Sequence, residues 1–138
     1  TPCLENGKTG YVQFMREGEV GIGSTEFIVF RSIKLTPEYV YLLVRTDNFR
    51  GIAIKSMTGA SGRQRVQNAC FDEIMVPVPP RDVLTSFTDL VAPVFKQIQV
   101  LANKNQNLRK TRDLLLPKLI SGDLNVENLD IDIGGDDN

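Results

Sequence analysis

From Asp82 to Leu116 the chain contains no glycine, and its apolar residues recur at alternating steps of three and four. Leu84, Phe87, Val91, Val94, Ile98, Leu101, Asn105, Leu108, Arg112, Leu115 and Leu119 take successive a and d places over five heptads. A repeat of this period keeps one stripe of an α-helix turned toward a partner, so the spacing predicts a coiled-coil helix. At 1.5 Å per residue such a helix is roughly 50 Å long. Residues 1–80 are too few to cover that length, so the seam calls for a helix from elsewhere. Asn105 and Arg112, polar residues at a positions, lower stability and demand a defined partner. Pro93 removes a backbone donor and predicts a bend near Asp89. Pro117 ends the main helix or opens a last short turn, and Gly122 supplies the stop.

The earlier part of the chain has another character. "PCLENGKT" reads as a loop around Asn6-Gly7. "GYVQFM", a stretch from about Glu26 to Arg31, and "FDEIMVPVPP" read as strands, the last stopped by its prolines. Thr36-Pro37 opens a helix, with Thr36 as N-cap and Pro37 in the first helical position. Asp47 caps a second short helix with Phe49, Ile52, Ala53 and Met57 on one face. The expected fold class is therefore α+β: a small β-sheet with short helices over residues 1–80, a long helix over 81–120, and an acidic tail over 121–138. The start at Thr1 reads as that of a fragment.

Composition narrows the chemistry. Histidine is absent, which removes the commonest general base, most zinc sites and Ser-His or Cys-His pairs. Cys3 and Cys70 lack metal-ligand spacing and read as reduced thiols. "GEVGIGSTEF" has Glu26 where a dinucleotide-binding motif needs its third glycine, so no cofactor is expected. "VPVPP" is not a methyltransferase motif, and no nuclease-type acidic constellation is visible. No apolar run is long enough to span a membrane. Charge is unevenly spread. Residues 121–138 hold six acids and no base, whereas residues 1–120 hold 16 bases against 11 acids. Five of those bases (Arg45, Arg50, Lys55, Arg63 and Arg65) lie within 21 residues beside one acid, Asp47, a local positive field suited to a polyanion.

Inside that field lies "SMTGASGRQRV", Ser56 to Val66. Gly59 and Gly62 expose backbone amides, the hydroxyls are short donors, and Arg63 and Arg65 can chelate phosphate or a guanine edge. A mobile connecting loop has the same composition, so the residues alone leave both roles open.

Taken in order, "TPCLENGKT", "GSTEFIVFR", "PEYVYLLVRTDNFR", "MTGASGRQRV", "VPVPP" and "NQNLRKTRDLLLPKLISGDL" closely resemble the specificity subunit of type I restriction–modification systems. The resemblance covers nearly the whole chain. It implies the distal part of a target recognition domain, followed by a conserved spacer helix and a tail like that of the C-terminal unit. One departure is "RDVLTSF" after the prolines, where many members have Leu-x-Glu-Gln.

The function implied is recognition of half of a bipartite double-stranded DNA site by a non-catalytic subunit. Methylation and cleavage belong to modification and restriction subunits, and the setting is cytoplasmic. The expected DNA contacts are Lys55, Ser61, Gly62, Arg63, Gln64 and Arg65, with Lys8, Ser24 and Thr25 beside them. Leu84 to Leu119 match the helix on which modification subunits dock; a homodimer through the same seam is also expected of a helix this long. The alternative is a coiled-coil assembly module that does not bind DNA itself.

Overall fold

The structure, a computed structural model, describes residues 2–16, 18–60 and 64–127. They form α1 (Pro2–Glu5), α2 (Pro37–Val44), α3 (Asp47–Lys55), a 3-10 turn at Asn68–Phe71 and α4 (Arg81–Ser121). The chain divides into two compact units, Thr1–Gln99 and Val100–Asn138.

The helix ends follow local chemistry. Thr36 caps α2, its side-chain oxygen accepting from the Tyr39 amide at 3.4 Å, with Pro37 just inside. The cap of α3 lies one residue before the expected Asp47: Thr46 accepts from the Phe49 amide at 3.3 Å. Asp47 instead starts the helix, where its charge complements the N-terminal dipole. Gly7, at φ +68°, makes the turn expected at Asn6-Gly7, but Pro2–Glu5 before it is helical rather than loop. The helix α4 continues through Pro93 and Pro117 and stops at Gly122, whose φ of +78° favours glycine.

The expected β-sheet is not there. Among the described residues the only bridge is the isolated antiparallel pair Thr58 and Arg65, so the fold is helical rather than α+β. The first presumed strand shows why the sequence misleads. From Tyr11 to Arg16, half-buried and exposed residues alternate strictly, as in a strand with one covered face. Alternation reports an extended backbone, whereas a sheet also needs a neighbour to exchange hydrogen bonds with. The extended segments do not pair with one another, and Pro77, Pro79 and Pro80 remove donors from the last. Val20, Ile22, Val29, Ile33 and Met75 consequently stay more than four-fifths exposed.

Two aromatic clusters hold the first unit together. Phe49 of α3 stacks on Phe71 at 5.5 Å, and Phe30 stands edge-on to both. Tyr11 and Tyr41 meet Phe95 of α4 edge-on at 4.9 and 5.4 Å. Val44, Phe49, Ala53 and Phe95 are the buried apolar residues, so Phe49 and Ala53 bear out the expected inner face of α3. Phe95, the buried residue of α4, lies beside the a and d series rather than in it.

Tyr11 also donates to Glu38 at 3.0 Å. Burial, then that bond and the Glu38 charge, push its hydroxyl from 10.0 up to about 12. The folded state thus favours the neutral phenol. The stability this adds is full below pH 10.0 and is lost as the pH rises through about 12. Denaturation of the native chain and of Tyr11→Phe, compared across that range, should show the steeper alkaline loss in the native chain; parallel curves would count against the coupling.

Candidate nucleic-acid interface and helix seam

The loop from Ser56 to Val66 is built on the end of α3. Ser56 caps that helix, its hydroxyl donating to the Ala53 carbonyl at 2.8 Å and accepting from the Gln67 amide at 3.3 Å. Thr58 and Arg65 exchange two backbone hydrogen bonds, at 3.0 and 2.9 Å. Gln67 adds a side-chain bond to the Thr58 hydroxyl at 2.6 Å. The loop therefore has a closed stem, and Gly59 at φ 120° allows the chain to turn out of it. Ser61, Gly62 and Arg63, three of the expected contacts, lie outside the described residues.

Arg65 leaves this stem to form an ion pair with Glu26. The Glu26 amide in turn donates to the Ser24 hydroxyl at 3.2 Å, and the Phe27 amide closes the turn on the Ser24 carbonyl. The fold thereby brings Arg65 to the Ser24–Thr25 turn, two of the expected sites that are 40 residues apart in sequence. Glu26 was not among the expected site residues; its signal was a carboxylate inside "GSTEF" at the tip of a tight turn. Gln64 is half-buried in the loop. Lys55, in the last turn of α3, is exposed and has no ion-pair partner among the described residues. Lys8 is likewise exposed, and no described residue hydrogen-bonds to it.

The five-base field changes once geometry is known. Arg50 turns inward: Nη2 donates to the Leu4 and Glu5 carbonyls at 3.3 and 2.9 Å, and Nη1 lies 3.4 Å from Asp47. It serves the fold. Arg45 lies over the Tyr41 ring, 5.2 Å from its centroid, a cation–π contact that leaves its charge uncompensated. Arg65 is paired with Glu26. Arg45 and Lys55 thus carry the described positive charge of this stretch that no carboxylate offsets.

The second feature is the distal part of α4. Every described residue from Val100 onward is exposed, including Leu101, Leu108, Leu115 and Leu119 of the seam. Nearer the body, Leu84, Phe87 and Val91 are half-buried, whereas Val94 and Ile98 are exposed. Phe87 meets Tyr39 edge-on at 5.6 Å. Asn105 and Arg112 are exposed too, and Arg112 is turned to the neighbouring Asp113 at 2.6 Å. Among the described residues, no helix is long and apolar enough to cross a membrane.

A heptad seam whose distal leucines are exposed among the described residues is suited to packing against another helix. The chain is similar to specificity subunits of type I restriction enzymes. It is 34% identical over 82 residues to the EcoEI specificity subunit of Escherichia coli, covering 58% of this chain and 14% of that protein. To the MjaIX specificity subunit of Methanocaldococcus jannaschii it is 44% identical over 52 residues, covering 38% and 12%. To the HindI specificity subunit of Haemophilus influenzae it is 23% identical over 87 residues, covering 63% and 19%. The matches thus take in less than a fifth of the length of each relative. No family model matches the chain, and no solved structure does.

Proposed function

We propose that this chain is part of the DNA-reading, non-catalytic subunit of a type I restriction–modification assembly. The similarity to three specificity subunits carries this reading. In it, residues 1–80 are the distal part of a target recognition domain, 81–120 the spacer helix, and 121–138 an acidic tail. The domain contributes to reading half of a bipartite double-stranded site, in the cytoplasm. Modification subunits dock on α4, and they and a restriction subunit carry out methylation and cleavage; this chain supplies no cofactor site.

Contacts divide by chemistry. Lys55 and Arg45 offer uncompensated charge to phosphates. Ser24, Thr25, Gln64 and the amides of the loop offer neutral donors, with Ser61, Gly62 and Arg63 on the same loop and Lys8 as a further phosphate contact. Arg65 is held ready by Glu26, and a phosphate takes the place of that carboxylate on binding.

In the complete complex, Lys55→Ala and Arg65→Ala should each weaken DNA binding about equally across sequences and lower the salt slope by about one. Glu26→Gln, which frees Arg65, should leave affinity equal or raise it. Unchanged affinity and slope in both basic-residue variants would sink the assignment of these contacts.

A second reading is favoured by the bare seam and by the engagement of Arg65 with Glu26. In that reading the chain is an assembly module without DNA binding of its own, and a second copy covers α4. Size in solution together with a DNA mobility shift at low salt separates the two: a dimer indifferent to DNA supports the second.

A further inference from the structure

Of Arg45, Arg50 and Arg65, only Arg45 is held by an aromatic ring rather than by an acid or a carbonyl. It is exposed at the C-cap of α2, its guanidinium 5.2 Å from the centroid of the Tyr41 ring. Nη1 donates to the Tyr41 hydroxyl, one turn back in the helix. Among the described residues nothing else hydrogen-bonds to this side chain. Contact with a ring fixes a guanidinium in place without cancelling its charge. A side chain already ordered loses less freedom on meeting a ligand, so less of the binding energy is offset.

Tyr41 is itself anchored on its other side. Its ring stands edge-on to Phe95 of α4 at 5.4 Å and tilted against Tyr11 at 5.3 Å. Tyr11 is edge-on to the same Phe95 at 4.9 Å and donates to Glu38 in the first turn of α2. Phe95 is buried among these rings. Nearer the start of α2, Tyr39 meets Phe87 edge-on, and the Thr88 hydroxyl donates to the Thr36 hydroxyl at 3.3 Å. Side chains thus tie α2 to α4 from its N-cap to Tyr41, and the far end of the same helix presents Arg45.

We infer that Tyr41 is a positioning residue linking the Arg45 guanidinium to Phe95, so that the seating of Phe95 sets how well Arg45 meets a DNA phosphate. The inference rests on Arg45 being the phosphate contact proposed above, and adds what holds that contact in place. A tyrosine that served the fold alone would affect DNA binding equally whether or not Arg45 were present.

The test is a set of double-substitution cycles in the complete complex, read as DNA affinity at several salt concentrations and, separately, as the denaturation midpoint. Arg45→Ala should weaken binding and lower the salt slope by about one. Tyr41→Phe keeps the ring against Phe95 and removes only the oxygen that accepts from Arg45; it should weaken binding about twofold or more. Phe95→Leu keeps an apolar side chain in the socket but loses the edge-on ring contacts, and should weaken binding about threefold. Both losses should fall away beside Arg45→Ala, because residues that act through one another are non-additive. Phe49→Leu, in the other aromatic cluster, is the control: whatever it costs should add in full to Arg45→Ala. A loss from Tyr41→Phe or Phe95→Leu that persists at full size beside Arg45→Ala overturns the inference, as does native affinity in Tyr41→Phe. Equal non-additivity for Phe49→Leu overturns it too, since that would report general loosening of the body. Arg45→Ala with native affinity and slope removes the phosphate contact and the inference with it, whereas the reading of DNA as a whole is judged on Lys55 and Arg65.

Discussion

Phe49→Ala is expected to destabilise the first unit by about 3 kcal/mol, the usual cost of emptying a buried aromatic site. Phe49 is 8% exposed and is gripped from two sides, by Phe71 face to face and by Phe30 edge-on. The three rings come from α3, the 3-10 turn and an extended segment, so their contact is what joins these parts. With four apolar residues buried among those described, no large core stands behind the cluster to absorb the loss. A domain of this size commonly holds only about 5–10 kcal/mol of net stability, so the unit should be left marginal. Hydrogen exchange of the α2 and α3 amides should rise toward the rate of an unfolded chain, while the amides of Val100–Ser121 stay as they were. Unaltered protection in α3 would show that the cluster is not the keystone of the unit.

Arg50→Lys should cost nearly as much as Arg50→Ala, about 1.5–3 kcal/mol, because what matters is the fork and not the charge. One guanidinium nitrogen serves both the Leu4 and the Glu5 carbonyls at the end of α1, where a helix has no internal donors left to offer. A lysine cannot also reach Asp47 in the same geometry. Gly7 is part of the arrangement: a Cβ there would lie 3.2 Å from the guanidinium carbon, on a backbone already at φ +68°. Both Arg50 variants should lower the denaturation midpoint, and proteolysis after Lys8 should accelerate. An unchanged midpoint with Lys8 still protected would disprove the clasp. Any loss of DNA affinity in these variants should track the unfolded fraction, in contrast to Lys55→Ala.

The readable parts of the chain were those governed by neighbours in sequence. The Thr36-Pro37 opening of α2, the turn at Gly7, the inner face of α3 and the stop at Gly122 each depend on a few adjacent residues. The site was legible only in part. Lys55 stands exposed and uncompensated as its surroundings in sequence suggest, yet Arg50 and Arg65 read identically and were drawn to the α1 carbonyls and to Glu26. Those partners are 45 and 39 residues away, beyond the reach of any local pattern.

Sequence alone determined the long helix with its heptad seam, because helical periodicity is set by the backbone and repeats every few residues. It also determined the polar, glycine-containing loop. Only the tertiary structure decided that the alternating segments would not join into a sheet, since strand pairing depends on which backbone lies alongside. The same long-range contacts decided which arginines hold the fold, and left Lys55 and the distal seam of α4 open to solvent.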